Sequence, residues 1–300
     1  MPDTPGRVGS LCTGYGGLDT AVREAMGCEL AWVADNDPGA SLILAAGHPG
    51  VPNLGDIRTV DWHAVLAAHG RPYVVTGGYP CQPFSFNGRR KGAADARHLW
   101  PHIVRALRVL RPRYGFFENV AGHLSLGFDT VLRDLASLGL DAEWCTVRAD
   151  EVRLSHRRRR LFVLTADPAW TPDPAPAADP VDVGGHGPGS LGTGRPQPPA
   201  RHRDPGGRPF PWGKYEAAVR RHEAVLGRPA PDPADEDGRV TTRFMEWHMA
   251  VEEGRVTDVP GLSRAQQIRA LGNGVVWLQA AAALDILLPR LTSGSIGEAA

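Results

Sequence analysis

Lysine is almost missing from this chain. Only Lys91 and Lys214 occur, so nearly all positive charge is arginine. Together with abundant Ala, Gly and Pro, that bias suggests a gene of high GC content. Formal net charge is zero, which removes the simplest electrostatic case for a polyanionic partner. Cysteine is scarce as well. Cys12, Cys28, Cys81 and Cys145 are scattered, and no pair has CxxC spacing. That supports neither a disulfide framework nor a zinc or other metal site. No apolar run approaches the roughly 20 residues that span a bilayer. The first residues, MPDTPGRVGS, lack the basic-then-apolar pattern of a signal segment. The expectation is a soluble cytoplasmic protein without a membrane partner. There is no internal repeat.

What is present is alternation. Short apolar runs at Val8–Cys12, Leu30–Asp35, Tyr73–Thr76, Tyr114–Glu118, Glu143–Val147 and Leu161–Thr165 read as strands. Helical patterns fall between them near Asp19–Met26, Pro38–Gly47, Trp62–His69, Leu99–Leu110 and Thr130–Leu138. This order argues for an α/β fold with a doubly wound, mostly parallel sheet, whose ligands bind at the carboxyl ends of the strands. The pattern stops at Pro168. From there to Pro211 the chain has twelve Pro and eight Gly, a composition that cannot bury a core. Helical patterns return at Trp212–Leu226, Thr241–Ala250 and Val275–Leu288.

Six stretches carry candidate chemistry. SLCTGYGGLDTAV (10–22) places Gly14, Gly16 and Gly17 between a strand and a helix, where backbone can approach a ligand closely. In WVADNDPGA, Asp37 suits the cap of the helix beginning at Pro38, which leaves Asp35 for a ribose. Asp56 in LGDI is a second strand-edge acid, suited to an adenine amino group or to a surface turn. GGYPCQPFSF (77–86) sets Cys81 on a loop after a strand, where a cysteine is more often reactive than structural. FFENV (116–120) places Glu118 and Asn119 at a strand's end. SHRRRRLFVLT (155–165) leads a basic run into a strand, and IRALGNGVV (268–276) carries a Gly-Asn-Gly turn. The basic groups Arg89–Lys91 and Arg157–Arg160 serve either a phosphate backbone or a solvated face. Each stretch alone has an ordinary structural explanation.

Their order is distinctive. Gly turn, ribose acid, Pro-Cys-Gln, Glu-Asn-Val, paired arginines and Gly-Asn-Gly together resemble the DNA cytosine-5 methyltransferase family over residues 8–166 and 240–290. The stretch TTRFMEWHMAVEEGRVTDVPGLSRAQQIRALGNGVV looks like the C-terminal part of its actinobacterial and phage members. The resemblance implies a class I, Rossmann-like S-adenosylmethionine-dependent methyltransferase. Its catalytic domain would comprise 1–166 and 240–300. A small, partly irregular target-recognition region would lie at 167–239.

The implied activity is methyl transfer to carbon 5 of cytosine in double-stranded DNA, with the base flipped out and Cys81 bonded to carbon 6. By the same resemblance Glu118 serves ring nitrogen 3, Arg160 holds the cytosine carbonyl and Arg158 braces the site. Leu11, Gly14, Gly16, Gly17 and Leu18 line the methionine side of the cofactor. Asp35 takes the ribose and Asp56 the adenine, with Asn36 and Ile57 beside them in the cofactor set. Pro80 sits near the sulfonium, with Asn273 and Val275 closing the pocket. Gln82, Ser85, Arg89, Arg90, Lys91 and Asn119 fall in the DNA-contacting set, Asn119 chiefly as a brace for local backbone. A cognate restriction endonuclease is an implied partner, and a monomer is expected. The chain departs from the family at Asn36 (often Trp), His156 (usually Gln), Arg159 (often an acid) and Leu11–Cys12 (usually with Phe).

The competing readings are three. A tRNA cytosine-5 methyltransferase shares the catalytic motifs but has a recognition signature not found here. A thymidylate-synthase-like enzyme lacks this Gly turn and ribose acid. A catalytically silent DNA-binding regulator does not explain an intact set of Cys81, Glu118, Arg158 and Arg160.

Overall fold

Six strands form one sheet in the order β2-β1-β3-β4-β6-β5. They are β1 (Arg7–Leu11), β2 (Glu29–Ala34), β3 (Val74–Gly78), β4 (Tyr114–Val120), β5 (Asp141–Arg148) and β6 (Arg159–Ala166). All six expected strands are present, within a few residues of the apolar runs that announced them. The computed structural model describes residues 6–80, 99–172 and 210–294.

β1, β2, β3 and β4 pair in parallel, whereas β6 runs antiparallel to both β4 and β5. The sheet is therefore mostly parallel with one reversed strand. Ten residues separate β5 from β6, too few for the helical crossover that a parallel connection needs.

Neighbouring side chains along each strand enter opposite faces. Phe116 joins one core cluster and Phe117 the other; Val74 and Val75, and Phe162 and Val163, divide in the same way. One face is covered by α3 (Trp62–His69), α4 (Trp100–Leu110) and α5 (Phe128–Ser137), through Val65, Leu107 and Leu135. The other is covered by α1 (Gly17–Met26) and α9 (Trp277–Gly294), through Val22, Leu284 and Leu287. Helices on both faces make the sheet doubly wound. β1 lies between β2 and β3, so the chain turns back on itself there, and the crevice at such a reversal is where open α/β sheets place ligands.

By length and composition alone, Arg264–Thr292 would cross a membrane, with mean hydropathy 1.5. That differs from the expectation of no such run. Its apolar side chains Ala280, Ala283, Leu284 and Leu287 are fully buried against the sheet, so they are core residues. Gly274 also interrupts the stretch in an extended conformation.

Two helices surround the sheet's carboxyl edge beyond those described. α2 (Pro38–Gly47) is capped by Asp37, whose Oδ1 accepts from the Gly39 and Ala40 amides at 2.9 and 3.0 Å. α8 (Arg264–Asn273) starts on a capping box between Ser263 and Gln266, and was not among the expected helices. α6 (Glu216–Leu226) and α7 (Thr242–His248) share a small core of Val219, Ala230 and Trp247. This small core draws residues from both sides of position 240.

Gly17 is one of two tight points between the first turn and the last; at the other, a Cβ on Gly274 would lie 1.8 Å from the Tyr15 ring. A Cβ on Gly17 would lie 2.0 Å from the Val275 carbonyl oxygen, and the Tyr15 hydroxyl donates to that same oxygen at 2.7 Å. Gly17→Ala is expected to cost about 1–3 kcal/mol by overpacking. Thermal denaturation would show it as a drop of several degrees, and an unchanged midpoint would mean that the 272–276 turn yields freely.

Candidate active site

A cavity of about 550 Å³ opens where the strands end, within the usual range for small-molecule sites. Leu11 of β1, Ala34 of β2, Gly77 and Gly78 of β3 and Glu118 of β4 all reach it. So do Arg158 and Arg160 at the start of β6, and residues 269–270 and 272–275 from the far end of the chain. Sheet topology thus gathers motifs that lie far apart in sequence.

Glu118 stands opposite Gly78 in the β3–β4 register. With no side chain at Gly78, the carboxylate has room: a Cβ there would lie 3.7 Å from Glu118 Oε2. Arg160 Nε meets Glu118 Oε1 at 2.8 Å, and the two side chains are 18 % and 8 % exposed. Burial pushes the Glu118 carboxyl above its ordinary range, and Arg160 and Arg158 draw it back. The net shift is upward, the direction that favours a carboxyl carrying its proton.

Arg158 faces the other way. Its Nη1 donates to the Gly272 carbonyl at 3.1 Å and its Nη2 to the Gly274 carbonyl at 2.8 Å. Its own carbonyl receives Gln279 Nε2 at 2.9 Å. The two alternating arginines therefore divide their work, one at the carboxylate and one at the Gly-Asn-Gly turn.

Asp35 is oriented by backbone. The Gly14 amide donates to Oδ2 at 2.8 Å and the Asp37 amide to Oδ1 at 2.9 Å. Gly14 makes the first contact from a left-handed conformation, φ 60°. Burial raises the Asp35 carboxyl and the two amides oppose that. Asp56 is clasped by Arg58, with Nε at 3.0 Å from Oδ1 and Nη2 at 2.5 Å from Oδ2. Asn36 Nδ2 also donates to Oδ2, at 3.2 Å. The Arg58 guanidinium holds the Asp56 carboxyl down to about 2.

Of the twelve residues expected at a cofactor, ten line this one cavity. Gly16 and Gly17 do not. Gly16 faces His48 and Arg255 and Gly17 abuts Val275, so they shape the turn and its packing rather than the cavity wall. Asn119, grouped with DNA contacts, is buried at 3 % exposure, and its Nδ2 donates to the Tyr79 carbonyl at 3.4 Å. That is the bracing contact and no surface contact. Cys81, Gln82, Ser85, Arg89, Arg90 and Lys91 lie outside the described residues.

Other residues at the site were not foreseen. Asp19 lines the cavity, 2 % exposed, and accepts from the Ser10 hydroxyl at 2.9 Å and from the Thr76 hydroxyl. Its position in the first turn of α1 was visible, but an acid there is ordinarily explained by the helix dipole. Asn53 takes the Asp35 and Gly55 amides on one carbonyl oxygen and donates to the Asp35 carbonyl at 3.0 Å, tying the two acid-bearing loops together. Among the described residues no cluster of three His, Cys, Asp or Glu could hold a metal ion.

The cavity suits an adenosyl cofactor by its donor set. An amide-oriented acid, a second acid on the facing loop and a glycine-lined floor offer acceptors to ribose and amino groups. Comparison with known proteins agrees. The family model described as C-5 cytosine-specific DNA methylase matches residues 6–177. The type II methyltransferase M.AgeI of Thalassovita gelatinovora is 32% identical over 173 residues, covering 55% of this chain and 40% of that protein. M.SacI of Streptomyces achromogenes is 32% identical over 180 residues, covering 52% and 46%. The match therefore spans less than half the length of these relatives. Among solved structures, S. pombe Dnmt2 methyltransferase superposes with TM-score 0.62 at 17% identity, covering 95% of this chain and 99% of that one. Entamoeba histolytica methyltransferase EhMeth gives 0.65 at 15%, covering 96% and 99%. At those identities the likeness is one of fold.

Proposed function

The chain belongs to the C-5 cytosine-specific DNA methylase family, and from that premise we propose that it methylates carbon 5 of cytosine in double-stranded DNA, with S-adenosylmethionine as donor. The observation that carries this is the Glu118–Arg160 pair standing on the same cavity as Asp35, Asp56 and Pro80. A proton-handling carboxylate and an adenosyl-type pocket meet at the strand end where the Pro-Cys-Gln loop begins.

Carbon 5 of cytosine is a poor nucleophile. Attack of the Cys81 thiolate on carbon 6 forms a carbon–sulfur bond and moves the ring electrons to carbon 5 and nitrogen 3, where Glu118 bonds or protonates the ring. Arg160 holds Glu118 and reaches for the base carbonyl, and Arg158 fixes the turn at Asn273. Asp35, Asp56 and Ile57 would hold the donor, which supplies an electrophilic methyl group. Once carbon 5 carries the methyl group, loss of its proton to a base expels Cys81 as thiolate, and any proton on nitrogen 3 returns to Glu118, which restores the aromatic ring. A target inside a duplex must leave the stack first. We assign target recognition to 167–239, and cytoplasmic action, alone or beside a restriction endonuclease, to the whole.

The test is conversion-based cytosine sequencing of a methylation-free bacterial host expressing the protein, beside a Cys81→Ala control. Protected cytosines in one sequence context, absent from the control, are expected. Unprotected DNA from a soluble protein that binds S-adenosylhomocysteine would overturn the DNA reaction and turn attention to RNA.

A further inference from the structure

Arg105 stands on α4, outside every motif described above, yet one of its nitrogens gathers a loop of the cavity. Nη2 donates to the carbonyls of Ile57 at 2.8 Å, Arg58 at 3.0 Å and Val60 at 3.2 Å. The Asp56 loop is thus held from two sides. Its first half is tied to β2, where the Leu54 amide donates to the Val33 carbonyl at 2.8 Å and Asn53 receives the Gly55 amide at 3.0 Å. Its second half turns three carbonyls toward α4, where Arg105 meets them.

The loop's chemistry depends on that second half. Asp56 is oriented through Arg58, by the backbone amide at 3.0 Å and by the guanidinium. Arg58 and Ile57 are two of the residues whose carbonyls Arg105 holds. α4 is itself seated firmly, with Ile103, Ala106 and Leu107 fully or almost fully buried and Leu99 at its start lining the cavity. A rigid helix therefore sets the height of the Asp56–Ile57 edge.

We propose that Arg105 is a positioning residue for the cofactor: it fixes the Asp56–Ile57 edge of the cavity against α4 and so sets affinity for the adenosyl moiety. The proposal rests on the cavity being the cofactor site. It carries a specific chemical signature. All three acceptors converge on one nitrogen, so an ammonium with its three N–H donors can meet them, whereas a glutamine amide is shorter and uncharged and a methionine donates nothing.

The experiment is calorimetric titration of the full chain with S-adenosylhomocysteine, for the unaltered protein and for Arg105→Lys, Arg105→Gln and Arg105→Met, with melting temperatures alongside. Arg105→Met is expected to weaken binding about tenfold, the worth of a charge-assisted contact. Arg105→Lys is expected to recover most of it and Arg105→Gln little. In steady-state assays the loss should fall on KM for the methyl donor and leave kcat at saturation near its original value. Should Arg105→Met fail to fold, the Lys–Gln contrast decides, and equal affinities overturn the proposal. Full affinity in a folded Arg105→Met also overturns it, leaving the cofactor site itself standing. No binding by the unaltered protein overturns the cofactor site, and the proposal with it.

Discussion

Cys81→Ala should reduce methyl transfer to background while S-adenosylhomocysteine still binds with near-original affinity. The effect is the largest expected for any single substitution, because alanine offers no nucleophile and no other described group substitutes for one. Cys12 and Cys145 have their thiols pushed up by burial, Cys145 to about 11, so neither supplies a thiolate at neutral pH. The affinity half of the prediction follows from the cavity. The groups expected to hold the adenosyl and methionine parts come from β1, β2, the Asp56 loop and the 272–275 turn. Cys81 follows Pro80 in sequence and is not among the residues expected to hold the cofactor. A second readout separates chemistry from binding. Duplex DNA carrying 5-fluorocytosine at the target should form an adduct with the unaltered protein that survives denaturation, since fluorine cannot leave carbon 5 as a cation. Cys81→Ala should form none. Methylation by the variant would sink the covalent route. Loss of S-adenosylhomocysteine binding together with activity would make Cys81 structural.

How much of this site could be read in advance depends on how local each determinant is. The strands announced themselves because both faces of the sheet are covered, which places apolar residues at consecutive positions, as in VV of β3, FF of β4 and LFVL of β6. Asp35 and Asp37 were separable because a cap beside Pro38 is a local pattern. The capping box of α8 was equally local, since Ser263 and Gln266 carry the signature, yet the polar composition of RAQQIRALGN hid the helix behind them. The reversal of β6 was implied by the short link from β5, although the apolar run alone carries no direction. The remaining features are long-range. Tyr15 bonds a carbonyl 260 residues away, Arg105 bonds a loop more than 40 residues earlier, and nothing near either residue marks it. The burial of Asp19 and Asn119 is also a property of the packed sheet. A motif says that a residue is needed; the fold says what it touches, and for Asn119 that is the Tyr79 carbonyl, in keeping with the bracing role.

Glu118→Gln tests which of two opposed forces governs the centre of the site. Methyl transfer is expected to fall by roughly 10²–10⁴-fold, the usual contribution of a positioned acid–base group, because an amide can bond a ring nitrogen but cannot give it a proton. Stability supplies the sharper discriminator. Burial raises the Glu118 carboxyl and Arg160, 2.8 Å away, lowers it; the net direction is upward. A carboxyl raised in the folded state adds stability that is fully present below the ordinary carboxyl range. That stability is lost as pH rises through the folded value. The amide that replaces the carboxyl does not titrate, so the variant's stability lacks this component. Relative to Glu118→Gln, the unaltered protein should therefore be most favoured below the ordinary carboxyl range and lose ground as pH rises above it. Melting temperatures of both proteins across that range measure the difference directly. If the unaltered protein instead gains on the variant as pH rises, the ion pair with Arg160 outweighs desolvation and Glu118 is held ionised. It would then act as a hydrogen-bond acceptor that orients Arg160, and the proton reaching nitrogen 3 would need another source. Desolvation is expected to win because the Glu118 side chain is only 8 % exposed, while Arg160 is also drawn to its neighbour's carbonyl, Nη1 lying 2.9 Å from the Arg159 oxygen.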